Sequence, residues 1–204
     1  MNIGLLLSFW VVSLALAATP GADWAYVIAS GLKERALVAA LSGLMLGYVA
    51  ITILVAAGVG ALVAQAPSLM AALTALGVGY LIWLGIGMLR HPPVPAPAQS
   101  DGRTGMQRIA TGFGISGLNP KALLLFLALL PQFTSLGAVL PVGMQLGVLG
   151  FVHIVNCCAV YALVGLGSRA VLRSRPNAAR VFGRCSGAIM IVLAIALAAD
   201  KIWS

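Results

Sequence analysis

The chain alternates long apolar runs with short polar gaps, and the runs have the length that a lipid bilayer demands. A spanning helix needs about 20 apolar residues, and six segments supply them: about 3–28, 37–63, 68–89, 109–133, 138–167 and 185–201. The runs lack the polar–apolar alternation of a barrel strand, so they read as helices. Composition agrees, with 61% of the 204 residues hydrophobic and 8% charged, where a soluble chain carries roughly 25% charge. So little charge could not cover a water-facing surface. The expectation is an all-α integral membrane protein of six transmembrane helices with no soluble domain.

The formal net charge of +8 would suit nucleic acid, but its distribution argues otherwise. Lys33 and Arg35 fall in the first loop, Arg90, Arg103 and Arg108 in the third, and Arg169, Arg173, Arg175, Arg180 and Arg184 in the fifth. Those ten of the twelve basic residues share one face, which the positive-inside rule places in the cytoplasm. Both termini are then expected on the opposite side. The basic excess reports topology, with anionic lipid as its partner and no role for nucleic acid. Ala15-Leu16-Ala17 resembles a signal-peptidase site, yet no positive region precedes it and the helix pattern resumes beyond it, so an uncleaved span is expected. Cys157, Cys158 and Cys185 lack metal-ligand spacing and read as small buried hydrophobes; no metal or cofactor is expected.

The Pro-rich segment 90–108 divides the chain into residues 1–89 and 109–204, each with three expected spans. The halves repeat weakly at an offset of one hundred: Pro20 with Pro120, Ala22 with Ala122, Gly43 with Gly143, Leu46 with Leu146, Gly47 with Gly147 and Val55 with Val155. Three is odd, so the second half would insert upside down relative to the first. Inverted repeats with interrupted helices are a construction of secondary transporters. The paired glycines read as close helix packing.

Polar exceptions within the apolar runs carry the chemistry. Thr19-Pro20-Gly21-Ala22-Asp23 lies deep in the first run. Proline and glycine there break the helix and free backbone groups, which lipid tolerates only inside protein or along a polar cavity. A carboxylate in a span is costly and marks a pathway, a pair or a proton site. Asn119-Pro120-Lys121 repeats the device in the fourth run. If the two breaks meet, Asp23 and Lys121 neutralise each other until a zwitterion replaces both charges. Asp23 is then the candidate for a substrate ammonium or a coupling proton, and Asn119 and Lys121 for the carboxylate. His153 stands one turn from Asn156 and reads either as a proton relay or as a neutral helix contact. Tyr80 and Trp83 either line the pathway or pack.

Thr19-Pro20-Gly21-x-Asp23, Gly77-x-Gly79-Tyr80-Leu81-x-Trp83-Leu84-Gly85, Asn119-Pro120-Lys121 and Pro131-Gln132-Phe133 together resemble the lysine exporter (LysE/RhtB) family, in order and over nearly the whole chain. The family often has a second proline where this chain has Ala22, which implies a milder break. The resemblance implies a small exporter of amino acids or related metabolites in the bacterial inner membrane, working by proton antiport; the charge distribution then puts both termini in the periplasm, and a homo-oligomer is compatible with this. Pro131-Gln132-Phe133 reads as an ordinary helix end before it reads as a gate. Two rivals belong to other classes. Gly114-Ile115-Ser116-Gly117 with His153 resembles the serine and histidine of rhomboid intramembrane proteases, although the rhomboid histidine lies on the sixth span. A non-transporting membrane component would leave the paired breaks unexplained.

Overall fold

The computed structural model describes residues 3–31, 34–65, 67–91, 103–119, 122–123, 125–135 and 137–171, and residues 181, 184–185, 187–189, 191–192, 194–195 and 198–199. Helix α1 (Ile3–Ala17) stops ahead of Pro20, and α2 (Ala22–Ser30) restarts after Gly21 with the chain bent by 62°. Gly21 is extended at the junction, with φ −166° and ψ −163°. Helix α3 (Glu34–Gln65) and α6 (Val142–Val171) carry no proline and run uninterrupted, and α4 (Pro67–Arg90) opens on one. Helix α5 (Gly105–Gly117) begins at a reciprocal cap. Gln107 N–H donates to Thr104 Oγ1 (3.3 Å) while Thr104 N–H donates to Gln107 Oε1 (2.9 Å). Beyond Asn119 the chain winds into a π turn (Leu125–Leu129) and a 3-10 turn (Leu130–Phe133).

The chain is all-helical among the described residues, which hold no strand. Two of their stretches are long and apolar enough to cross a membrane: Ala36–Gly58, mean hydropathy 2.2, and Val142–Ser168, mean hydropathy 2.0. The α1–α2 pair passes the same test as one broken span. The described residues thus display two or three of the six expected spans. The fourth expected run arrives in pieces, because α5 ends at Gly117 and the chain rewinds with different hydrogen-bond spacing.

Helix α3 packs against α5 and α6, α6 also receives α1 and α2, and α4 lies on the π turn. Phe9, Val27, Leu44, Phe126, Leu146 and Leu149 meet at the centre with no exposed surface. The α3–α5 contact is close because Gly43 and Gly47 present bare backbone to Ile109, Ser116 and Gly117. Gly143 does the same against Ala56 O, whereas Gly147 faces open space, so its sequence pairing with Gly47 does not extend to packing. Cys157 is buried, but Cys158 and Cys185 are exposed, so the reading of all three as buried holds for the first alone. An apolar helix surface bordering lipid accommodates a thiol as readily as a core does.

Gln145 is fully buried at the start of α6 and pins the preceding loop. Its amide accepts from Ser135 N–H (3.0 Å) and donates to Ser135 O (2.9 Å) and Leu140 O (2.7 Å). Gln145→Ala strips those backbone groups of their partner, and we expect a loss of about 3 kcal/mol, read as a lower Tm of the detergent-purified protein.

Candidate functional site

The break between α1 and α2 leaves the last carbonyls of α1 without helical donors, and local groups take them up. Leu14 O accepts from Ala18 N–H (2.9 Å) and Leu16 O from Thr19 N–H (3.1 Å). Ala15 O accepts from Thr19 Oγ1 (2.9 Å), and Ala17 O from Trp24 Nε1 across the bend (2.9 Å). Thr19 and Trp24 therefore hold the kink open, as the absence of water in a bilayer requires.

Asp23 sits in the first turn of α2 and is 5% exposed. Its Oδ2 accepts from Tyr48 of α3 at 3.0 Å and from Tyr161 of α6 at 3.3 Å, and the two phenol oxygens are 3.2 Å apart. A second cluster adjoins this one. Ser13 Oγ meets His153 Nδ1 at 2.9 Å and accepts from Asn156 Nδ2 at 3.0 Å, and Asn156 also donates to Trp10 O at 3.2 Å. On the other side of the ring, His153 Nε2 lies 3.3 Å from Cys157 Sγ, and which partner donates at each ring nitrogen follows from the tautomer. Tyr48 and Phe126 stand edge-on to the imidazole, with centroids at 5.3 and 5.4 Å.

Two spaces flank these groups. A small chamber of about 10 Å³ is bordered by Tyr48, Asn119, His153 and Tyr161, a scale that admits about one water. An open cavity of about 700 Å³ lies at the break itself, against Pro20, Gly21, Tyr80, Trp83, Arg90 and Asn119. The Tyr80 and Trp83 rings stand 5.6 Å apart there.

Of the residues singled out from sequence, Asn119 and His153 border the chamber and Thr19, Pro20 and Gly21 form the break, with Asp23 one hydrogen bond from the chamber wall. Pro120 and Lys121, and with them the Asp23–Lys121 pair, lie outside the described residues. Pro131-Gln132-Phe133 forms the 3-10 turn, where Gln132 donates to Ala128 O (2.8 Å) and Phe133 packs edge-on to Phe9 (5.2 Å). Ser116 is fully buried, and its hydroxyl faces Leu44 O at 2.7 Å and Gly112 O at 3.2 Å. That proton locks α5 to α3, and His153 bonds instead to Ser13 and Cys157. Sequence reasoning missed Tyr48, Tyr161 and Ser13. Their only signal was a hydroxyl inside an apolar run.

The family model described as LysE type translocator matches residues 14–201. The chain belongs to that family. Among relatives of this LysE type translocator, a leucine efflux protein of Klebsiella pneumoniae is 27% identical over 201 residues, covering 94% of this chain and 93% of the relative. A cysteine/O-acetylserine efflux protein of Salmonella choleraesuis is 26% identical over 153 residues, covering 72% and 76%. A membrane protein of Vibrio cholerae is 31% identical over 136 residues, 65% of this chain and just under two thirds (66%) of that protein. No solved structure matches the chain significantly. Family membership and the apolar helices make this a multi-pass membrane translocator. The match takes in Asp23, Tyr48, Asn119, His153 and Tyr161, so both spaces lie within the family's own segment.

Proposed function

We propose that this translocator exports amino acids from the cytoplasm across a bacterial inner membrane, driven by inward proton movement. The observation that carries the reading is a buried carboxylate, Asp23, held by two hydroxyls at a helix break that also opens on a cavity of about 700 Å³. The efflux proteins named for leucine and for cysteine and O-acetylserine support an amino-acid cargo. Arg90 and His91 at the cavity's edge suit attraction of a carboxylate, and with the third loop cytoplasmic that edge faces the cytoplasm. Asn119, with Lys121 beside it in sequence, would receive the carboxylate, and Asp23 or His153 would carry the proton.

The six-span, two-half architecture belongs to the same proposal. Contacts run between halves in matching ways: α3 of the first half lies on α5 of the second, and α6 of the second lies on α1 and α2 of the first. Exchanging the halves maps one contact onto the other, as inverted repeats require. Helix α4 meets the last segment through Gly85 and Gly187, a contact between the third run of one half and the third run of the other. Alternating access would then rock one half against the other.

The test is transport by the purified protein in proteoliposomes. Counterflow of one or more of the twenty standard amino acids, accelerated by a pH gradient that drives protons against the amino acid, is the expected outcome. Amino-acid flux indifferent to the gradient would remove proton antiport, and no flux at all would remove the exporter reading.

A further inference from the structure

The broken first span has two faces that differ in chemistry. Helix α2 turns Ala22 and Ala25 outward, three residues apart, and buries Asp23 and Val27, four apart. Toward the interior, Asp23 meets Tyr48 and Tyr161, and beyond their rings lies the chamber with room for about one water. Toward the outside lies the cavity, whose lining takes Pro20, Gly21, Ala22 and Ala25 from the break but not Asp23. At about 700 Å³ it falls in the range of about 300–1,000 Å³ typical of small-ligand sites. The chamber is far too small for an amino acid. Among the described residues, Asn119 borders both spaces.

We propose that substrate and proton occupy opposite faces of the break: the amino acid lies in the cavity against Tyr80 and Trp83, and the coupling proton resides on Asp23 beneath its two tyrosines. This rests on the exporter reading and narrows it, because Asp23 then serves the proton alone and Asn119 is the positioning residue through which each site senses the other. A substrate ammonium reaching Asp23 would have to displace two phenol hydroxyls inside the core, whereas a proton needs only the carboxylate and a neighbouring hydroxyl. Among the described residues, Tyr48 from α3 and Tyr161 from α6 bond to Asp23, and His153 of α6, beside Cys157, borders the chamber with them. The cavity's chemistry also sets the cargo class. Among the described residues its lining offers Tyr80, Trp83, Ile86 and Met88 and no carboxylate, with Arg90 and His91 at one end. That surface suits an amino acid with a neutral, apolar side chain and disfavours a cationic one.

The experiment separates binding from coupling. Counterflow by the native protein across the twenty standard amino acids selects the probe, and that amino acid is then titrated against tryptophan emission in detergent, with Trp83→Phe identifying the responding ring. Asp23→Asn is expected to bind the probe with a Kd within about threefold of native and to keep counterflow, while pH-driven accumulation is lost. Trp83→Ala should raise Kd about tenfold and leave the proton-to-substrate ratio unchanged. If Asp23→Asn proves unfolded, Tyr48→Phe poses the same question, sparing Kd and slowing pH-driven transport. Loss of probe binding in folded Asp23→Asn or Tyr48→Phe would overturn the two-face arrangement in favour of a shared site. A native protein that moves none of the twenty would instead overturn the exporter reading beneath it, and counterflow of lysine or arginine alone would overturn the cargo class.

Discussion

Asp23→Asn is expected to stop the proposed pH-driven export, by about 100-fold or more, and to leave membrane insertion intact. Asparagine nearly matches aspartate in shape and keeps a carbonyl oxygen where Tyr48 and Tyr161 donate at 3.0 and 3.3 Å. The bend can therefore survive, since Thr19 and Trp24, not Asp23, satisfy the freed carbonyls of α1. What disappears is the group proposed to carry the coupling proton. Phenylalanine at position 48 or 161 removes one of the two hydroxyl donors and keeps the carboxylate, so a smaller loss of about tenfold is expected. Initial rates in proteoliposomes at a fixed pH gradient, corrected for the amount of folded protein, rank the three variants against native. Export by Asp23→Asn at the native rate would remove the carboxylate from the coupling step.

Asp23 and its break were legible in the sequence because their signals are local. Proline, glycine and a carboxylate are each conspicuous within an apolar run, and each has a physical consequence wherever the chain goes next. Helices α3 and α6 were legible for a similar reason, since length and hydropathy suffice. Tyr48 and Tyr161 were not. A single tyrosine in a membrane helix reads as an interfacial anchor or as packing, and its hydroxyl gains a role only when α3 and α6 bring residues 48 and 161 to residue 23. Ser13, more than a hundred residues from His153 and Asn156, was hidden in the same way. In the fourth run an interruption was expected at Asn119-Pro120-Lys121, and α5 does end at Gly117, but the winding beyond it was hidden for a different reason. Hydropathy counts apolar side chains, and Leu125–Phe133 stays apolar while its backbone changes from π to 3-10 spacing. A regular α-helix and a π or 3-10 winding look alike by that measure.

The sequence repeat invites the view that Gly47 and Gly147 do equivalent work, and the packing predicts the opposite. Gly47→Leu should cost about 3 kcal/mol or more, whereas Gly147→Leu should fall within about 0.5 kcal/mol of native. A Cβ on Gly47 would overlap Ser116 Oγ and stand 2.8 Å from both Gly117 N and Phe113 O. Those last two are backbone atoms of α5, so the whole helix would have to retreat. Retreat would also part Ser116 from Leu44 O, the 2.7 Å bond that joins the helices. In lipid no hydrophobic drive restores a loosened helix pair, because the tails are as apolar as the leucines they replace. A Cβ on Gly147 meets nothing within 4 Å. Transport should follow stability for a structural reason: α5 leads straight into Asn119, which borders both the chamber and the cavity. Displacing α5 moves that side chain, so Gly47→Leu is expected to lose export even where enough protein survives to assay, and Gly147→Leu to export normally. Tm in detergent and initial rates in proteoliposomes test both statements. Equal damage from the two substitutions would mean that the halves share their packing as well as their pattern, and the close α3–α5 contact would then lose its claim to set the position of Asn119.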